Sequence, residues 1–361
     1  MEKKNPVHFV GLNALRFFSA LVLIIYHGTL AWQDNFPQPI KTFVKNLTLG
    51  VDFFFLLSGF LIVYLLLVEK ENFQKISLYK FYLRRIVRIF PLYYLVISIA
   101  FWQYHVSNPE INFSKFLYFW GNFWMIQTDS WTNGILNPLW SLCVEEHFYL
   151  IVPVLVMILP FRWLKYFFAS IVIGSLFFRI VATISMPKNW MTIYLHTFSR
   201  VDVLAIGAYI ACLHKEKPII LSIRTRFLPL LVLNFLIMCC LINFMDYSDI
   251  VYAGFAKYLY ITPMIGIFLL VIFNQNEHPL IKAVKNNQYI SYLGKISFGL
   301  YMYSAISGGY LSTFPVLKES ALLFPISNII GDIIVSAISF ELFEKQILRI
   351  KSYFEVVATK S

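Results

Sequence analysis

Ionisable side chains stand inside runs that are otherwise apolar: Arg16, His27, Asp52, Glu145, Glu146, His147, Arg179, Arg200, Asp202, Asp332 and Glu341. At bilayer depth such a group costs about 3 kcal/mol or more unless it faces a protein interior, so each marks a candidate site. Arg16 and His27 stand on one apolar segment. Their separation returns to within about 20° on a helix and rises about 16 Å, so they share a face, Arg16 inward and His27 in the outer half. Asp52, Glu145 and Asp202 each lie about one to two helical turns from the outer ends of their own segments. These matching depths predict one outward-biased polar site. Glu145 shares a face with Ser141 and Tyr149 through four-residue spacing, whereas Glu146 points about 100° away. Arg200 and Asp202, two residues apart, do not face each other and are expected to have different partners. The competing reading of all these charges is an ion-pair network that only fixes helix packing.

A second feature lies on the inner side. The run KFYLRRIVRIFPLYYL puts Arg84, Arg85 and Arg88 before a short apolar segment, with Arg84 and Arg88 on one face. Three guanidiniums at a helix entrance suit a ligand with several phosphates, because the planar fork binds phosphate bidentately. The same arginines also serve as topology charge or as contacts for anionic lipid.

The elements that must position these residues follow from composition. Of 361 residues, 59% are hydrophobic and 14% charged, against about 45–50% and about 25% in soluble domains. A soluble enzyme, a disordered chain and a disulfide-rich secreted domain are excluded. The chain is expected to be an all-α, polytopic membrane bundle forming a single domain over 1–361. About ten spans are expected: 12–32, 49–68, 89–104, 138–160, 166–186, 198–213, 227–245, 251–273, 290–312 and 321–343. The aromatic stretch 113–128 is short and interrupted by Gly121 and Asn122, and is expected not to cross. With the N-terminus inside, twenty of the thirty Lys and Arg residues fall in inside segments and five in outside ones. The net charge of +11 is therefore topological and implies no nucleic-acid partner. Cys143, Cys212, Cys239 and Cys240 lie in or beside apolar segments without metal-ligand spacing. The first apolar run lacks a small-residue cleavage site and is expected to be a retained helix.

Taken together, six blocks in order resemble the acyltransferase-3 family of membrane-bound O-acyltransferases. Arg16 and His27 resemble the family's R-x10-H on its first helix, and GVDFFFLLSGFLI (50–62) its second-helix block. RRIVRIFPLY (84–93) is similar to R-R-x-x-R-I-x-P-x-Y. SLCVEEHFY (141–149) is similar to S-L-x-x-E-x-x-F-Y and selects Glu145 over Glu146. RVDVLAIGA (200–208) and ISFGLYMYS (296–304) resemble later blocks. The resemblance implies transfer of an acyl group, commonly acetyl, from cytoplasmic acyl-coenzyme A to a hydroxyl of a cell-surface saccharide or glycolipid, with no metal. It implies catalytic roles for His27 and Glu145 and donor binding by Arg16, Arg84, Arg85 and Arg88. Asp52, Ser141, Tyr149, Arg200 and Asp202 would form a supporting polar site. It implies a bacterial inner membrane, in contact with lipid, and leaves the oligomeric state open; the loop-charge bias puts both termini in the cytoplasm. One departure stands out: Ser304 occupies a position where the family often has His, so any role of that His is expected to be missing. Some members append an esterase-like domain, for which the residues after the tenth span are too few. The rival readings are a transporter or flippase of a glycan or lipid, which also buries charge at mid-membrane, and a non-catalytic scaffold.

Overall fold

The computed structural model describes residues 9–30, 36–132, 134–186, 189–222, 233, 237, 257–275, 279–314, 317, 320 and 323–357. In chain order the helices used below are α1 (Leu12–Thr29), α2 (Gln38–Asn46), α3 (Gly50–Phe73), α4 (Leu78–Tyr104), α5 (Phe113–Leu117), α6 (Gly121–Thr128), α7 (Leu139–Ile158) and α8 (Phe161–Ser185). There follow α9 (Trp190–Leu195), α10 (Thr197–Glu216), α11 (Lys257–Phe273), α12 (Pro279–Asn286), α13 (Gln288–Lys295), α14 (Ser297–Leu311) and α15 (Leu323–Ser339). A π-helical turn, Phe340–Glu344, joins α15 to α16 (Lys345–Lys351). Among the described residues one isolated parallel bridge, Leu221 to Asn274, is the only extended pairing.

Six of these helices are long and apolar enough to cross a bilayer: α1, α3, α4, α7, α8 and α15 with its extension; α11 is apolar but shorter. The expected span 227–245 lies, but for residues 233 and 237, outside the described residues. The stretch 113–128 forms α5 and α6, of five and eight residues, far short of the ~20 a crossing needs.

Three expected boundaries are corrected. The third long helix begins at Leu78, not at 89, and is capped by Ser77, whose hydroxyl accepts from the Lys80 N–H at 3.4 Å. Arg84, Arg85 and Arg88 therefore stand on the helix rather than before it. Their charge lowers local hydropathy, but arginine is a good helix former and the helix runs on through Pro91. The expected span 290–312 is broken at Ile296 into α13 and α14, and Asn287 caps α13 by accepting from the Tyr289 and Ile290 N–H groups. The last span continues past 343 into α16.

α3 is apolar on all sides because protein surrounds it; of the six long helices it is the most buried. Its closest neighbour is α10. A Cβ on Gly59 would lie 2.0 Å from the Leu204 carbonyl oxygen, and one on Gly207 would lie 2.2 Å from that of Leu56. Only glycine lets the two backbones approach this closely, the usual solution where lipid gives helices no hydrophobic drive to associate. Gly59→Ala should lower the thermal unfolding midpoint in detergent, by a destabilisation of about 1–3 kcal/mol or more. Gly174→Ala, which meets nothing within 4 Å, should leave that midpoint unchanged.

α15 is two-faced. Ile330, Ile334 and Ile338 are exposed, while Asn328, Asp332 and Ser336 are fully buried. Each set recurs every four residues, so one stripe faces lipid and the other faces protein. This inverts the pattern of a water-soluble helix.

Candidate active site

A small cavity of about 90 Å³ sits where α1, α3, α4, α7 and α14 converge, lined by Arg16, Ser58, Arg85, Arg88, Ser141, Glu145, Tyr149, Ser297 and Tyr301 among others. Glu145, Ser141 and Tyr149 reach it together because they occupy one stripe of α7. The Tyr149 hydroxyl donates to Glu145 Oε2 at 3.0 Å and shares a short hydrogen bond with Ser58. Ser141 Oγ pairs with the Tyr301 hydroxyl at 2.8 Å, and both reach the Pro138 carbonyl. Arg85 packs over the rings of Phe81 and Tyr149, its guanidinium carbon 5.9 Å from each centroid. Its Nε is buried with no hydrogen-bond partner among the described residues. Arg16, Arg85 and Arg88 make no ion pair with any described carboxylate within salt-bridge distance. Three cations and one carboxylate, Glu145, line this cavity, and the excess of positive charge suits an anion.

Arg16, Leu61, Arg85, Arg88 and Phe298 also line a second cavity of about 790 Å³, whose lining includes Lys285, Lys295, Lys345 and Arg349 and Glu341, Glu344 and Glu355. The large cavity is a vestibule on the side assigned as inside by loop charge, and the arginines form its throat. Arg84 lines neither cavity. Its guanidinium pairs with Glu69 at 3.3 Å and donates to the Phe354 carbonyl at 2.8 Å. The expected pairing of Arg84 with Arg88 is thus replaced by Arg85 with Arg88, one turn apart on α4.

His27 lies outward of the throat and does not line it. Its Nδ1 is 2.8 Å from Ser304 Oγ, and Ser304 in turn donates to the Tyr301 carbonyl at 2.9 Å. A serine that donates to that carbonyl accepts from Nδ1–H, and in that tautomer Nε2 keeps the lone pair, the form a general base needs. Ser304, Tyr301 and Ser58 were not singled out from sequence, Ser304 being noted only as a departure. Their residue types carry no signal apart from their three-dimensional neighbours. His27 and Glu145 make no hydrogen bond with each other: Ser304 orients the imidazole, and Tyr149 holds the carboxylate. α14 links them, where Tyr301 meets Ser141 and Ser304 meets His27, one turn apart.

The single outward site expected from matching depths therefore divides. Glu145 joins the inward arginines instead of His27. Asp52 and Asp202 join a separate buried cluster, in which Arg200 pairs with Asp52 at 3.0 Å and Arg179 and Lys257 pair with Asp202 at 2.8 and 2.7 Å. Arg200 also lies over the rings of Trp140 and Tyr194, and Tyr258 donates to Asp202 at 2.9 Å. Arg200 and Asp202 have different partners, as their spacing implies. Depth alone could not separate these groups, because it carries no information on the direction each helix faces. Glu146 Oε1 is buried with no hydrogen-bond partner among the described residues and does not line the cavity. Among the described residues no three His, Cys, Asp or Glu side chains converge as metal ligands.

Comparison with known proteins places this geometry in context. A family model described as an acyltransferase domain matches residues 9–340. O-acetyltransferase OatA of Staphylococcus aureus (strain NCTC 8325 / PS 47) is 26% identical over 377 aligned positions, covering 95% of this chain and 58% of the relative. Putative O-acetyltransferase SACOL0978 of Staphylococcus aureus (strain COL) is 26% identical over 370, covering 94% and 57%. The chain thus spans somewhat over half the length of these curated relatives. No solved structure matches.

Proposed function

Because the chain belongs to the acyltransferase family whose model spans residues 9–340, it is an acyltransferase, and we propose that it moves an acetyl group from cytoplasmic acetyl-coenzyme A to a hydroxyl of a saccharide or glycolipid. The observation that carries this reading is the throat, where Arg16, Arg85 and Arg88 stand between a wide basic vestibule and a small hydroxyl-lined cavity. Coenzyme A is a ligand of matching shape and charge, a phosphate-bearing nucleotide joined to a narrow arm that ends in the thioester. The nucleotide would stay in the vestibule, its phosphates on guanidiniums, with the arm passing the throat. The acceptor would enter from the opposite side, where His27 Nε2 takes the hydroxyl proton as the oxygen attacks the thioester carbon. A base so placed is worth ~10²–10⁴-fold in rate. Glu145 balances the charge of the throat. In a bacterial cytoplasmic membrane the chain would make ten crossings with both termini inside.

Coenzyme A release from labelled acetyl-coenzyme A, measured in membranes against a panel of saccharides, tests the reading. Release that depends on one acceptor class, with label recovered on that acceptor, is expected. Movement of a glycan across the membrane without thioester cleavage would overturn it in favour of a transporter.

The orientation is tested separately. In a cysteine-free background, Ser130→Cys, exposed after α6, should react with an impermeant maleimide added outside. Lys217→Cys, exposed after α10, should react only once the membrane is opened. The opposite pattern would invert the donor and acceptor sides.

A further inference from the structure

A buried polar column runs along α15 and α14, apart from the throat and the ion cluster. Asn328, Asp332 and Ser336 are each 0% exposed. Asn328 Nδ2, Asp332 Oδ2 and Ser336 Oγ hydrogen-bond no described residue. Ser307 of α14 bridges the outer part, donating to Asp332 Oδ1 in a short bond and lying 3.3 Å from Asn328 Oδ1. The outer end abuts the catalytic helix. A Cβ on Gly28, the residue after His27, would stand 3.2 Å from Asn328 Nδ2.

The inner end reaches the vestibule. Ser336 Oγ and Glu344 Oε1 both pack against the buried Gly299, 3.5 and 3.4 Å from where its Cβ would be, and Glu344 lines the vestibule. Ser339 donates to Glu344 Oε1 at 3.2 Å, a five-residue contact that the π-helical turn brings into register. Successive members of the stripe are about 6 Å apart along the axis, two hydrogen-bond lengths of about 2.8 Å. One water between each pair would satisfy all three orphaned atoms, and buried polar atoms are rarely left without such a partner.

We propose that this column, centred on Asp332, is the proton path between His27 and the vestibule. The inference rests on the acyl-transfer reading. The acceptor O–H and donor C–S bonds break, and C–O and S–H bonds form, so no net proton or co-reactant is needed. Three guanidiniums at the throat favour the sulfur leaving as thiolate, as cations do for any thiol. The thiolate then withdraws through the throat with the rest of coenzyme A, the proton taken by His27 returns along the column, and the S–H bond forms in the vestibule. Asp332 acts as a positioning and relay residue and does not touch substrate.

The test uses the purified full chain with acetyl-coenzyme A and the acceptor found by coenzyme A release. Asp332→Asn preserves shape, and Ser336→Ala removes one hydroxyl and decides the matter should Asp332→Asn not fold. Asp332→Asn is expected to lower kcat by about 100-fold and Ser336→Ala by about 10-fold, with KM for acetyl-coenzyme A within about two-fold of wild type. The wild-type rate in mixed light and heavy water should curve as for several protons in flight, and the curvature should be lost in both variants. Wild-type kcat and curvature in a folded variant would overturn the relay. So would parallel changes in KM and thermal midpoint, which mark a structural role. Absence of coenzyme A release from wild type itself would instead remove the acyl-transfer reading, and the relay with it.

Discussion

Replacing His27 with alanine should slow acyl transfer by about 10²–10⁴-fold, the span of a lost general base, while acetyl-coenzyme A still binds. The expectation rests on the imidazole's outward position, away from the throat that would hold the donor, and on the hydrogen bond that leaves Nε2 free. Ser304→Ala should cost much less, about 10-fold, because it releases one tautomer-fixing hydrogen bond and keeps the base itself. Single-turnover transfer of labelled acetyl separates the two effects from binding. A His27→Ala enzyme working at a near-normal rate would remove the base assignment. Equal losses in both variants would make orientation by Ser304 as necessary as the imidazole itself. Glu145→Gln is nearly isosteric and acts at the throat, so it should impair transfer through charge. Glu146→Gln, at a side chain outside the cavity, should be much milder.

The second large effect should appear in donor affinity. Changing Arg85 and Arg88 together to alanine should raise KM for acetyl-coenzyme A by about 100-fold, since each charge-assisted hydrogen bond contributes about 1.5–3 kcal/mol. Arg84→Ala should barely move it, because Arg84 is engaged by Glu69 and the Phe354 carbonyl and lines neither cavity. Lysine at positions 85 and 88 should restore binding only partly, an ammonium lacking the bidentate fork. Equilibrium binding of labelled coenzyme A to the detergent-solubilised chain gives the comparison. If all three arginines behaved alike, or if lysine were fully neutral, the cluster would be topology charge and not a donor site.

Much of this protein was legible along the chain. Long apolar runs with few charges specify membrane helices because a bilayer leaves the backbone no other way to satisfy its hydrogen bonds. Local periodicity placed Glu145, Ser141 and Tyr149 on one stripe, and the Tyr149–Glu145 bond is the four-residue contact that stripe implies. It also put Arg16 and His27 on one face of α1, and it separated the partners of Arg200 from those of Asp202.

What tertiary structure alone decided is which stripe meets which. Ser304 lies 277 positions from His27, a distance no local pattern can encode, and so a residue read as a departure from the family became the partner of the candidate base. Arg84, Arg85 and Arg88 look alike in sequence, but a carboxylate on α3 and a carbonyl near the C-terminal end of the described chain draw one of them away from the throat. Matching depth suggested a single site, and helix rotation split it into a throat, a base and an ion cluster. The polar stripe of α15 was visible only as Asp332 in an apolar run, because Asn328 and Ser336 acquire meaning once they face protein rather than lipid. Hydropathy reports how deep a segment sits, and helical period reports which residues share a face. The direction each face points is set by the packing of neighbours such as Gly59 against Leu204, which is a property of the assembled bundle.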